Sequence, residues 1–278
     1  MPKTLYITDL DGTLLTSDQY VSQKSCEIIN RLTERGMIFS YATARSLITA
    51  KKVTAGLSPK TPVIVYNGVF ITDSGSGEKL VKNTFSGAQA EDIFRTLTKY
   101  EILPLVYSII GGEEKFSYIP EKMTRGMADF LDTRRGDPRH RPLPWCPLSN
   151  ENGMLDGEIF YFACMDEAGS MSEAHEELKN RYYCVYSKDI YSGDQWLEIL
   201  PKAATKANAV LQLKEYCGCD RLVVFGDGIN DIPMFKAADE CYAVGNAAPE
   251  LKEIAGGIIG NNNEDSVAEF LEKEFLND

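Results

Sequence analysis

The sequence predicts an α/β protein with a mainly parallel sheet, interrupted by an inserted α+β domain. Three observations carry this. Apolar strand-like runs alternate with helical patterns from Leu5 to Ile71, and the alternation resumes at Trp196 and continues to the C-terminus. A strand–helix–strand–helix–strand order implies parallel pairing through right-handed crossovers. Between the two stretches the character changes: Gly75, Gly77 and Gly87 punctuate a polar region, and the strands that follow are no longer regularly separated by helices.

The elements follow from local signals. Leu5-Tyr6-Ile7 reads as a short buried strand that ends on Asp9-Leu10-Asp11-Gly12-Thr13-Leu14-Leu15. A helix is expected over 22–35, with Cys26, Ile28, Ile29 and Leu32 at helical spacing and Gly36 as its stop. Residues 37–42 read as the next strand, ending at Thr43, and 47–55 as a second helix. Residues 62–66 form a third strand, and Asn67-Gly68 signals a hairpin into Val69-Phe70-Ile71. In the insertion, helices are expected over 88–100, 121–133 and 171–180. Strands are expected over 103–110, 115–119, 159–165 and 182–186, with a long irregular stretch over 136–153. The first pattern resumes at 196–200. Lys206 opens a helix that reaches Tyr216, and the apolar run 221–225 feeds into Gly226-Asp227. A short helix over 230–238, a strand at 241–244, a helix over 249–255 and a strand at 258–259 come next. Ser266 with Glu269 has the pattern of a capping box ahead of a last helix over 267–275. The expected organisation is therefore a core made of 1–83 and 191–278, with 84–190 inserted.

Composition bounds the function. The chain has 278 residues, 44% of them hydrophobic and 25% charged, enough for a sizeable core. A formal net charge of -12 argues against nucleic acid or an anionic membrane as partner, while leaving room for a local positive site for phosphate. The N-terminus MPKTLYITDL has no long apolar segment, and no run approaches transmembrane length. The 7 cysteines are scattered, and the one close pair, Cys217 and Cys219, lacks a second pair at zinc-site spacing. Reduced thiols and a cytoplasmic location are the expectation.

Asp9 and Asp11 arrive as a strand ends, where open α/β sheets bind ligands. Two like charges held close repel unless a cation or proton lies between them. Such a pair suits a hard metal, Mg²⁺ by preference, with one carboxylate free to act as a nucleophile. The competing reading is an ordinary solvated turn, since Asp and Gly are common turn residues.

Asp9-Leu10-Asp11-Gly12-Thr13, the stretch Ala42-Thr43-Ala44-Arg45, Lys206 and Gly226-Asp227-Gly228-Ile229-Asn230-Asp231 occur in that order. Together they resemble the haloacid dehalogenase superfamily, in particular its Cof-type phosphatases with a type IIB cap. The resemblance implies a Rossmann-like core, a cap at 84–190, and a Mg²⁺-dependent phosphomonoester hydrolase acting on small phosphorylated metabolites, sugar phosphates among them. A sugar phosphomutase of the same superfamily, or a non-catalytic phosphoryl receiver, are the alternatives. Monomer or weak homo-oligomer is the expected state.

By the same resemblance Asp9 is the nucleophile and Asp11 the general acid/base, while Thr13 supports the loop. Thr43 would hold phosphoryl oxygens, unless it only ends the strand or caps a helix. Arg45 would grip phosphate or the substrate's polar body, unless it serves a structural ion pair. Lys206, rather than Lys202, would neutralise phosphate charge. Asp9, Asp227 and the backbone oxygen of Asp11 would hold Mg²⁺, with Asp231 behind through water. Asn230 would contact phosphate or cap its helix. Relatives usually carry Gly where this chain has Ala44, and often where it has Ala207. Every matched residue lies outside 84–190, so the cap is expected to choose the substrate and close the site. Within it, Arg134, Arg135, Arg139, His140 and Arg141 form a basic cluster that could meet an anion or simply be solvated. Trp145 could pack the domain or line a pocket, His175 is expected to be exposed on its helix, and Asn67 is read as a turn residue.

Overall fold

The computed structural model describes residues 3–145, 153–166, 171–188 and 193–277. The chain divides into two compact units, Met1–Lys82 with Ala204–Asp278, and Asn83–Ala203. The first unit opens with β1 (Thr4–Thr8), α1 (Gln23–Glu34), β2 (Ile38–Tyr41), α2 (Leu47–Val53), β3 (Val63–Val65), β4 (Phe70–Thr72) and β5 (Lys79–Lys82). Ser22 and Ser46 cap α1 and α2, each accepting from a backbone N–H three residues on.

The inserted unit holds α3 (Gly87–Lys99), β6 (Leu105–Ile110), β7 (Glu113–Tyr118), α4 (Arg125–Asp132), β8 (His140–Pro142), β9 (Glu158–Asp166), α5 (Ser172–Leu178), β10 (Tyr183–Lys188) and β11 (Gln195–Leu200). Its sheet has the order β10-β11-β9-β6-β7-β8 and is antiparallel except between β7 and β8. Helices α3 and α5 close one face over a core that includes Phe85, Ile93, Leu97, Phe162, Leu178 and Leu197. β11 is a correction to the expected boundary at 190: it lies between β9 and β10, paired antiparallel to both, so the insertion runs on to Ala203. An alternating apolar run declares a strand without declaring its sheet.

The chain re-enters the first unit with α6 (Lys206–Tyr216), β12 (Arg221–Gly226), α7 (Ile232–Ala237), β13 (Glu240–Ala243), α8 (Pro249–Ile254), β14 (Gly257–Ile258) and α9 (Ser266–Asn277). Five strands pair in parallel in the order β14-β13-β12-β1-β2. Beyond β2 a single parallel bridge, Ala42 to Ile64, leads to the antiparallel set β3-β4-β5. β1 and β12 are paired on both sides and buried beyond their first residues, as strands covered on both faces are. The carboxyl ends of these two strands carry Asp9 and Asp227.

Two short polar strands, β5 and β8, escaped the sequence reading because their residues lack an apolar alternation. The capping box expected at Ser266 does not form. Ser266 is already helical and its buried Oγ has no partner, while Glu269 pairs with Lys24 at 2.5 Å. Asp265 instead takes the hydroxyls of Ser22 and Ser25, tying the start of α9 to the start of α1.

Gly68 shows how closely the turn after β3 approaches α6. Its φ is +104°, and a Cβ there would stand 2.5 Å from the carbonyl oxygen of Thr205, the residue that caps α6. Gly68→Ala is therefore expected to destabilise the protein by about 2 kcal/mol or more and to lower its melting temperature by several degrees. An unchanged thermal transition for the purified variant would show that this contact relaxes freely.

Candidate active site

The site is built on one buried ammonium. Lys206, the first residue of α6, donates from Nζ to Asp9 Oδ1 at 2.5 Å and to Asp231 Oδ1 at 2.7 Å. All three side chains are almost entirely buried, at 2%, 7% and 0% exposure. The three come from different segments: the end of β1, the head of α6, and the turn after β12. Lys202, the rival for this position, is an exposed residue of the inserted unit whose Nζ lies 3.5 Å from the Asn180 carbonyl oxygen.

Asp231 is the hub on its own side. Its second oxygen accepts from the backbone N–H groups of Asp227 and Gly228, each at 3.1 Å, so it shapes the turn that presents Asp227. Thr13 Oγ1 donates to Asp227 Oδ1 at 3.0 Å, the supporting role expected of it. Gly12 stands at φ +76°, and a side chain there would collide with the Asp227 carboxylate. Oxygens of Asp9, Asp227 and Asp231 all lie within 4.8 Å of one another.

This group carries three carboxylates against one ammonium, and its protonation reflects that. Burial, then the Asp231 charge, pushes the Asp227 carboxyl up to about 6 from an ordinary 3.8. Burial likewise raises Asp9, with Lys206 pulling the other way. Burial opposes the Lys206 charge, yet Asp231 and Asp9 outweigh it and hold its pKa above the ordinary lysine value. A cluster short of positive charge, offering only carboxylate oxygen and nearly closed to solvent, fits a small hard divalent cation.

Asp11 stands apart. Its half-exposed carboxylate faces Arg45, which donates from Nε to Oδ2 at 2.8 Å and from Nη2 to Oδ1 at 2.5 Å. The side chain of Asp11 is therefore not in the acidic group, and Arg45 makes the ion pair that the sequence left open. Thr43 is wholly buried; its Oγ accepts from the Arg45 N–H at 3.1 Å and its carbonyl from the Asn67 N–H at 2.9 Å. Asn230 is exposed on the short turn ahead of α7, where Asp231 makes the capping bonds.

Sequence reasoning missed a set of asparagines that hold the turn after β1. Asn246 Nδ2 donates to the Gly12 carbonyl at 2.7 Å, and Asn262 Nδ2 to the Leu15 carbonyl at 2.9 Å. Asn263 accepts from Ser17 N–H at 2.8 Å and donates to Ser17 Oγ at 2.9 Å. The run Asn261-Asn262-Asn263 was the available signal. In the inserted unit the basic cluster is internally satisfied. Arg139 pairs with Asp137, Arg141 with Asp156 and Arg135 with Asp132, and Arg134 lies over the Phe130 ring. His175 is not the freely exposed residue expected but stacks on Tyr186 at 4.7 Å. Trp145 is 40% exposed beneath the Lys122 ammonium.

A family model described as haloacid dehalogenase-like hydrolase matches residues 6–271. The chain belongs to that family. A 5-amino-6-(5-phospho-D-ribitylamino)uracil phosphatase of Bacillus subtilis is 28% identical over 95% of this chain and 96% of its own length. An HMP-PP phosphatase of Serratia proteamaculans is 26% identical over 95% of this chain and 92% of its own. A crystal structure from Thermotoga maritima shares the fold with a TM-score of 0.74 at 24% identity, covering 98% of this chain and 97% of that one. The chain is a phosphatase of the Cof type within this family. None of its described helices is long and apolar enough to cross a membrane.

The raised Asp227 pKa has a measurable sign. Between pH 3.8 and about 6 the folded, metal-free protein binds a proton there that the unfolded chain has released. Its contribution to stability therefore falls as pH rises through that window. In chelator, the Asp227→Asn variant should gain melting temperature over the wild type from about pH 4 to pH 6 and then hold that gain. A difference that does not change with pH would place the Asp227 proton elsewhere.

Proposed function

We propose that the chain is a Mg²⁺-dependent phosphomonoester hydrolase that carries the phosphoryl group transiently on Asp9. The observation behind this is the Lys206 ammonium bound to Asp9 within 4.8 Å of Asp227 and Asp231. Asp9 keeps one oxygen on Lys206, which leaves Oδ2 to attack phosphorus. Asp9 and Asp227, with the backbone oxygen of Asp11, would hold the cation; both Asp231 oxygens already accept from the protein, so its part is to brace Lys206 and the Asp227 turn. When bound, Mg²⁺ supplies the charge screening that lets a carboxylate approach a phosphate monoester.

Asp11, two residues from the nucleophile and half exposed, would protonate the leaving alcohol and later deprotonate water. Lys206 lies beside the attacking group and offsets negative charge that accumulates on the phosphoryl oxygens. Thr43 holds the Arg45 backbone through its Oγ, and its hydroxyl hydrogen would go to a phosphoryl oxygen. Asn230, exposed on the neighbouring turn, is a second donor for the substrate. The natural substrate is a small phosphorylated metabolite of the sugar-phosphate kind. Its selection falls to the inserted unit, which supplies none of these groups.

Asp9→Asn should abolish phosphate release, on the order of 10³-fold or more, with the thermal transition retained, because an amide cannot form the acyl phosphate. Turnover by the purified variant near the wild-type rate would remove Asp9 as nucleophile. Exhaustive chelation should stop the wild-type enzyme, and Mg²⁺ titration should restore it. Full activity after verified metal removal would contradict the metal assignment, and isomerisation of a sugar phosphate without free phosphate would mark a mutase.

A further inference from the structure

We infer that Gln19 is a positioning residue for the general acid/base. It anchors Arg45 so that Asp11 can give up one of its two contacts and still be held by the other. The inference rests on the phosphatase reading with Asp11 as proton donor.

Arg45 Nη2 serves two acceptors at once, Asp11 Oδ1 at 2.5 Å and Gln19 Oε1 at 3.1 Å. Its Nε holds Asp11 Oδ2 at 2.8 Å. Both Asp11 oxygens accept from the guanidinium, and an oxygen that carries a proton is a weaker acceptor. Passing a proton through Asp11 therefore loosens one of the two contacts. The proton then passes from the Asp11 carboxyl to the ester oxygen as the bond from that oxygen to phosphorus breaks and the Asp9 oxygen–phosphorus bond forms. A guanidinium fork without a second anchor would swing with the departing oxygen. Gln19 gives Nη2 a neutral acceptor that does not compete for the proton.

The backbone around Gln19 is built to hold that side chain in place. Gln19 adopts φ +60°, a left-handed conformation disfavoured for Gln by about 1 kcal/mol or more. The loop is closed by Thr16 N–H to the Tyr20 carbonyl at 3.0 Å and Gln19 N–H to the Thr16 carbonyl at 2.9 Å. Asn263 grips Ser17 in the same loop through the two bonds described above. An exposed glutamine that only decorated the surface would contribute a hydrogen bond worth about 1 kcal/mol and nothing to the leaving-group dependence of the reaction.

That contrast gives the test. Hydrolysis of p-nitrophenyl phosphate, whose phenolate leaves without a proton, is compared with hydrolysis of glycerol 2-phosphate, whose alkoxide needs one. The full chain is assayed with Mg²⁺, reading kcat/KM, which covers the steps through release of the alcohol. Gln19→Ala should lose about 10-fold on glycerol 2-phosphate and under about 2-fold on the aryl ester. Gln19→Met, which keeps the length of the side chain but cannot accept from Nη2, should lose the alkyl ester as Gln19→Ala does. Equal losses on both esters, or no loss on either, would overturn the role of Gln19 while leaving the phosphatase reading intact. A wild-type enzyme that releases phosphate from neither ester nor from any member of a panel of phosphorylated metabolites would overturn that reading and this inference with it.

Discussion

A lysine ammonium almost closed to water, shared between Asp9 and Asp231, is the constraint on which the first unit's chemistry depends. A buried charge is tolerated only when paired, and removing one partner of such a group costs about 3–5 kcal/mol. The shared ammonium therefore fixes the mutual placement of the end of β1, the start of α6 and the turn after β12. It also leaves the site with more negative than positive charge; burial first, and then the Asp231 charge, raise the Asp227 carboxyl to about 6. A small hard cation would offset that imbalance.

Around this group the protein spends most of its side-chain hydrogen bonds on loops. The turn after β1 has little regular structure of its own; Leu15 N–H reaches back to the Leu10 carbonyl at 2.9 Å, and Asn246, Asn262 and Asn263 hold the rest. Asp227 is oriented by Thr13 from that turn and by Asp231 from its own. Nucleophile and metal-ligand candidates are thus held by partners outside their own strands, as functional groups on loops require if they are to keep their geometry.

The inserted unit is organised on different terms. Its antiparallel sheet and the helices α3 and α5 enclose an apolar core of their own. Its charged side chains are largely paired with one another, including a buried Arg139 against Asp137 and Glu114. A domain with its own core can vary its surface without disturbing the charged group in the other unit, which suits a division between chemistry and selection.

By itself the sequence determined the alternation of strands and helices, the parallel character of the main sheet, and the placement of Asp9 and Asp227 at strand ends. These rest on local patterns, apolar runs that stop at acidic residues, and local patterns survive folding. Lys206 is set above Lys202 by the family resemblance and its motif spacing, since a lysine at a helix start is by itself no signal. Only the tertiary structure decided which sheet β11 joins, because a strand's partners are distant in sequence. It alone paired Asp11 with Arg45 across 34 positions and brought Gln19 to the same guanidinium. It also turned the expected cap at Ser266 into a contact between Asp265 and the serines of α1, and placed Asn246, Asn262 and Asn263 against the turn after β1. Polar side chains have no periodicity that declares their partners; the burial and geometry of the folded chain select them.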